Sequence, residues 1–199
     1  MTSWLAFLPP SRGTLQMLRR RLELAKRGLT ILQMRREMLA KELVLLLSEL
    51  RRRREAEEAF ARALQRAAEL RASRGEIEFR SMASLAKPPR IELVAVSYQG
   101  VPVRQARVAG EPDLSAVHDP EFREVAEELW RALAGMIEVA NVEEAAAEVG
   151  KQLVSINQVA NSLERSVIPS LEDAVKRVEE WVANRELEDF VRARRLRGG

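Results

Sequence analysis

Residues 15–50 carry a heptad repeat, and it constrains the fold more than any other feature of the chain. Leu15, Leu18, Leu22, Ala25, Leu29, Leu32, Leu39, Leu43, Leu46 and Leu50 fall at alternating steps of three and four, and only Arg36 interrupts the apolar series. Five heptads of this kind make a coiled-coil seam, because a 3.5-residue period keeps one narrow stripe facing a partner helix. The phase weakens through "RRRREAEE" at 51–58 and returns at Phe60, Leu64 and Ala67. The spacing predicts one helix over about 13–75, roughly 90 Å long at 1.5 Å per residue.

A second seam lies near the other end. Val149, Leu153, Ile156, Ala160, Leu163 and Val167 keep the same alternation, and Leu171, Ala174 or Val175, Val178 and Trp181 continue it. The steps from Leu163 to Val167 and from Val167 to Leu171 are both four, a stutter that locally unwinds a supercoil. Pro169 falls inside it. Proline in a helix interior removes a donor and clashes with the carbonyl four residues back, so a kink is expected where the seam already changes phase.

Charge joins the two segments. Residues 12–54 hold 13 Lys and Arg against 4 Glu, whereas 121–190 hold 7 Lys and Arg against 16 Asp and Glu. Segments of matched and opposite charge pair most simply with each other. The expected architecture is mainly α, a long antiparallel two-helix coiled coil formed by the N- and C-terminal helices. Its parts are an N-terminal extension at 1–12, a first helix at 13–75, a middle region at 76–120 and a second helix at 121–197. Within the middle, "IELVAVS" and "VPVRQARV" are rich in β-branched residues, with "YQG" between them. They read as a β-hairpin over about 91–108, with Pro102 confining the second strand to an edge or bulge.

Composition narrows the function classes. Aromatic residues are only 5% of the 199 and charged residues 32%, which suits long exposed helices more than a large core. There is no cysteine, so disulfide and thiolate chemistry are absent and a reducing compartment fits. The apolar runs at 4–8 and 43–47 are far short of the ~20 residues that span a bilayer. No basic stretch precedes the first of them, so a soluble chain without a signal peptide is expected.

Nothing points to catalysis. The nine glycines form no phosphate-cradling pattern. His118 is the only histidine and reads as a polar loop residue; Glu127–Glu128 and Glu143–Glu144 read as solvated helix faces. No catalytic residue, cofactor or metal is expected. The clusters at 18–27, 49–55 and 192–197 are basic. Arg51–Arg54 are expected to pair with the acidic helix. At the ends, antiparallel geometry would bring Arg12, Arg19, Arg20, Arg21, Lys26 and Arg27 near Arg192, Arg194, Arg195 and Arg197, leaving a positive tip.

Two stretches resemble one known family. "PSRGTLQMLRRRLELAKRGLTILQMRREML" at 10–39 is similar to the N-terminal helix of the D subunit of V-type and A-type rotary ATPases. "VANSLERSVIPSLEDAVKRVEEWVANRELEDFVRARRLR" at 159–197 resembles the family's second signature, with its N-x-L-E, V-I-P-x-L-E and E-x-F-x-R-x-[KR]-R elements. Residues 36–37 depart from the family's Lys-Arg-Asp run, Trp181 and the tail "LRGG" are atypical of it, and "WLAFLPP" has no counterpart. The resemblance implies a non-catalytic central-stalk rotor on the cytoplasmic side of a membrane, peripheral to it. Its paired helices would form an axle inside the hexamer of A and B subunits. Its middle would point toward the membrane-ring adaptor (C/d), beside the F subunit of the central stalk, with no direct nucleotide and no nucleic acid. Arg12, Arg19–Arg21, Lys26, Arg27 and the terminal arginines would face the stator, and the Pro169 kink would curve the axle.

Two rivals remain. The γ subunit of F-type ATPases is also an axle of terminal helices, but with a much larger middle domain. A coiled-coil scaffold or nucleic-acid-binding adaptor would use the basic tip instead, and its binding would fall steeply with salt.

Overall fold

The structure, a computed structural model, describes residues 11–197. Most of the N-terminal extension and the final two glycines therefore lie outside the described residues. The elements run α1 (Arg12–Glu49), a 3₁₀ turn (Leu50–Arg52), α2 (Arg53–Arg74), α3 (Glu76–Leu85), β1 (Arg90–Tyr98), β2 (Val101–Gly110), α4 (Pro120–Ser162), a π-helical stretch (Leu163–Val167) and α5 (Ile168–Arg197). The fold is mainly α with one two-stranded antiparallel sheet. The chain forms two compact units, one of residues up to Glu37 and from Leu153, the other Met38–Gln152.

In the first unit, α1 and α5 run antiparallel across a narrow seam. Leu18, Leu171, Ala174 and Val175 are buried together, with Leu15, Leu22, Ala25 and Val178 packed against them. Leu29, Leu32, Leu153 and Leu163 are half-buried, and Ile156 and Ala160 are buried. Ala174 packs with Leu18 in this cluster, a small residue that leaves room for a leucine, the shape a two-helix seam needs.

Proline 169 changes the local helix. The Ile168 N–H bonds to the Leu163 carbonyl five residues back, closing a π turn immediately before Pro169. A π turn holds one residue more than an α turn, so the seam slips by one. Val167, counted into the seam by its spacing, is 37% exposed, and Ile168 is buried in its place. The buried stripe therefore steps from Leu163 to Ile168 to Leu171. The same count placed Trp181 in the seam, yet Trp181 is 66% exposed. Val182, four residues after Val178, is the half-buried one.

In the second unit, Leu39, Leu46, Ala63, Ala145, Ala146 and Val149 are buried, and Leu43 is half-buried. The first helical segment is not one uninterrupted α-helix. It tightens into a 3₁₀ turn at Leu50–Arg52, where the run 51–55 offers no apolar side chain to hold the seam in phase. Arg53–Glu57 and Arg54–Glu58 pairs one turn apart then support the start of α2.

Gly75, at φ 85° and ψ 159°, ends α2 in a conformation that L side chains rarely adopt. It opens α3, a helix that the periodicity did not reveal. Phe79, Met82 and Ala86 of α3 and its C-cap pack onto a small core of Leu70, Val117, Phe122 and Val125. The Phe79 and Phe122 rings lie 5.4 Å apart at 58°, a favourable tilted geometry. Asp119 caps α4, its Oδ1 accepting from the Glu121 and Phe122 amides, with Pro120 at the first helical position, where a missing N–H costs nothing.

The hairpin turns on Gln99 and Gly100, both with positive φ, as a tight two-residue connection requires. Its register pairs Tyr98 with Val101 and Ser97 with Pro102, and the irregularity falls at the far end, between Arg90 and Ile91. Pro102 has the same parity as Ala106, whose N–H points away from β1 to Asn141, so its missing N–H interrupts no bond of the ladder.

Candidate functional site

The features with functional content are the ion pairs along the helices, the basic end of α5 and the docked hairpin. In the first unit, Arg12 contacts Glu186 at 2.7 Å, Arg19 contacts Glu179 at 2.7 Å and Lys26 contacts Glu172 at 2.6 Å. The cations advance by one heptad while the acids retreat by one. Such a ladder flanks the seam and fixes the register of two antiparallel helices. Arg12 and Arg19 each offer Nε and Nη2 to a single carboxylate oxygen.

This ladder corrects the picture of a purely basic tip. Arg12, Arg19 and Lys26 face acids of α5, because its acids extend to Asp189 and its arginines cluster only from Arg192. Arg27 pairs with Glu23 of its own helix, and Arg20 and Arg21 are exposed. Arg192, Arg194 and Arg195 are exposed, past the Arg12–Glu186 pair along α5. Arg197 ends α5, and its side chain lies outside the described residues. Close to these arginines, Trp181, Leu187, Phe190 and Val191 are exposed apolar residues. Seam counting does not single out the last three, although steps of three and four between 187, 190 and 191 put them on one side of the helix.

In the second unit, cations of α2 again meet acids of α4. Arg53 reaches Glu143 at 2.6 Å, Arg66 reaches Glu128 at 2.7 Å, and Arg74 lies 3.0 Å from Glu121 and 3.2 Å from Asp119. Within the run of four arginines at 51–54, Arg53 bridges to the acidic helix, while Arg54 turns to Glu58.

Two polar ties hold the hairpin. The Asn141 amide of α4 reads the outer edge of β2 as a strand would: its Oδ1 accepts from the Ala106 N–H and its Nδ2 donates to the Ala106 carbonyl, both at 2.8 Å. At the turn, Gln99 Nε2 donates to Glu42 of α1 at 3.3 Å. Val101 and Val103 are buried. At the base, Lys87 and Asp113 form an isolated bridge, and Lys87 Nζ lies 2.8 Å from Asp113 Oδ2. That hydrogen bond, helped by donation from Ser115, holds the Asp113 carboxyl well below the usual carboxylate range.

Among the described residues, no group of three or more His, Cys, Asp or Glu is placed to hold a metal. His118 is exposed in the loop before α4. Among them also, no helix is long and apolar enough to cross a membrane.

Comparison with known proteins agrees with this arrangement. The family model for the D subunit of ATP synthase matches residues 14–198. The D subunit of the A-type ATP synthase of Pyrococcus horikoshii is 30% identical over 205 residues, covering 96% of this chain and 93% of its own. That of Thermococcus gammatolerans is 27% identical, covering 94% and 92%. The D subunit of the V-type ATP synthase of Thermus thermophilus is 28% identical, covering 95% and 87%. A single family model runs through both helical segments and the hairpin between them, and the chain belongs to the ATP synthase D-subunit family, as a component of a rotary ATPase.

Proposed function

We propose that the chain is the central-stalk rotor of a V/A-type ATPase and transmits torque between the catalytic hexamer and the ion-translocating membrane ring. Its partners on this reading are the A and B subunits around the helix pair, the F subunit beside it, and the C/d adaptor toward the membrane. It is peripheral, on the cytoplasmic side, and carries no catalytic group of its own. The observation that carries the reading is the heptad-spaced ladder from Arg12–Glu186 to Lys26–Glu172. An axle must resist twisting of one helix past the other, and paired charges flanking a leucine seam oppose that slip. It must also turn in its bearing without locking, which suits a charged, solvated exterior. The exposed arginines 192, 194 and 195 are the stator-facing residues on this reading, and the π turn before Pro169 bends the shaft so that it presses unequally on its surroundings.

The test is assembly with the A, B and F subunits encoded by the same genome, followed by ATPase assay with and without this chain. One copy per hexamer with altered hydrolysis is the expected result. No association, together with salt-sensitive retention of nucleic acid, would replace the rotor with an adaptor that uses its basic end.

A further inference from the structure

The hairpin carries apolar side chains on both faces, with Glu92 opposite Arg107 at the open end of one of them. Register pairs residues of like facing, so Tyr98, Val96 and Val94 share one face with Val101, Val103 and Gln105. That face is the docked one: Val101 and Val103 are buried, Tyr98, Val94 and Gln105 are half-buried, and of these six only Val96 is exposed, at 36%. A sheet packed on one side and wet on the other should alternate apolar and polar. Here the opposite face carries Ile91, Leu93, Ala95, Ala106 and Val108 besides Ser97, Pro102 and Arg104. Leu93 is 78% exposed and Ile91 45%. The only charge on this face is Arg104, which stands opposite Ala95 in the register.

We infer that this outer face is an interface, covered by an apolar-faced helix of a neighbouring subunit that brings a carboxylate to Arg104. Two observations select that occupant. A sheet already backed by helices on one side is completed by a helical layer on the other, and a patch whose single charge is positive favours an acidic partner. The inference rests on the reading that the chain works inside the rotary complex.

The chain has no cysteine, so Leu93→Cys supplies a unique thiol for an environment-sensitive dye, and its exposure makes the change harmless to folding. The labelled chain is then assembled with the A, B and F subunits and the C/d adaptor. The expected result is a blue shift and reduced iodide quenching on assembly. Arg104→Glu should weaken assembly on the order of tenfold, while Arg104→Lys retains it. A dye that stays wet in the intact complex, or Arg104→Glu assembling like the parent, overturns the inference. A blue shift that grows with concentration of the chain alone assigns the face to a second copy and also overturns it. Failure of the unlabelled parent chain to assemble at all would instead remove the rotor reading, and the acidic partner with it.

Discussion

Arg19 of α1 donates through Nε and Nη2 to Glu179 Oε1 of α5, at 3.1 and 2.7 Å, across 160 residues of sequence. One heptad away on either side the same pairing recurs, so this contact reports the register of the whole helix pair. Exposed ion pairs contribute little to stability and are screened by salt. Their value here is specificity: sliding one helix by a turn would set Lys176 in place of Glu172 opposite Lys26, and Ala183 in place of Glu179 opposite Arg19.

Arg19→Glu should therefore lower the melting temperature by a few degrees at low salt. The reverse pairing, Arg19→Glu with Glu179→Arg, should recover most of it. The deficit of the single variant should fade near 1 M salt, where the screening length is ~3 Å. Thermal unfolding across the four-member cycle checks this, and additive effects would show that the pair is not coupled.

Leu18 is fully buried in the seam, whereas Leu24 is 71% exposed on the same helix. Leu18→Ala should cost about 2–5 kcal/mol, and Leu24→Ala should stay within about 0.5 kcal/mol. Urea unfolding of the two variants separates them. Equal costs would mean that the leucine face has been misplaced.

Pro169→Ala restores an N–H that can reach the Arg165 carbonyl and removes the ring's clash with it. The helix should relax from its π turn, moving Val167 toward the seam and Ile168 away from it. A thiol introduced as Val167→Cys should react readily with maleimide in the parent and several-fold more slowly in the Pro169→Ala background. Unchanged labelling would show that the proline does not hold the π turn.

Asn141→Ala deletes both bonds to the Ala106 backbone and leaves that N–H and carbonyl to solvent. A loss of about 1–3 kcal/mol in hairpin docking is expected. Hydrogen exchange at the Ala106 amide should accelerate at least tenfold, with α1 and α5 amides unaffected.

The Lys87–Asp113 bridge predicts an acid-side effect. Asp113 titrates below its unfolded value, so its contribution is complete above the ordinary carboxylate range and is lost as pH falls through the depressed value. Lys87 is shifted upward, so its contribution is present below the ordinary lysine range and is lost at high pH. Asp113→Asn should flatten the acid limb of a stability–pH profile measured by thermal unfolding, leaving other pH values little changed. The effect is small because both groups are solvent-exposed.

Much of this molecule is legible along the chain. Leucines at steps of three and four announce paired helices, since a 3.5-residue period has meaning only against a partner. Opposite charges in the two segments name that partner. Gln99–Gly100 between β-branched runs announces the hairpin. Phe79, Met82 and Ala86 carry the signal for α3, but ten residues are too few for periodicity to speak without the Leu70–Phe122 core beneath them.

Other features had to wait for the fold. Counting can say that the seam stutters near Pro169, but not that a π turn exchanges Val167 for Ile168, because that choice depends on which carbonyl the Ile168 N–H finds. Charge totals can say that basic meets acidic, but not that Glu186 stands opposite Arg12 and leaves Arg192, Arg194 and Arg195 beyond it. Nor can alternation say which hairpin face is docked when both carry apolar side chains; packing against the helices decides that. Periodicity and composition belong to one segment at a time. Register and facing belong to pairs of segments far apart in sequence, and only their packing selects among arrangements that each segment alone would accept.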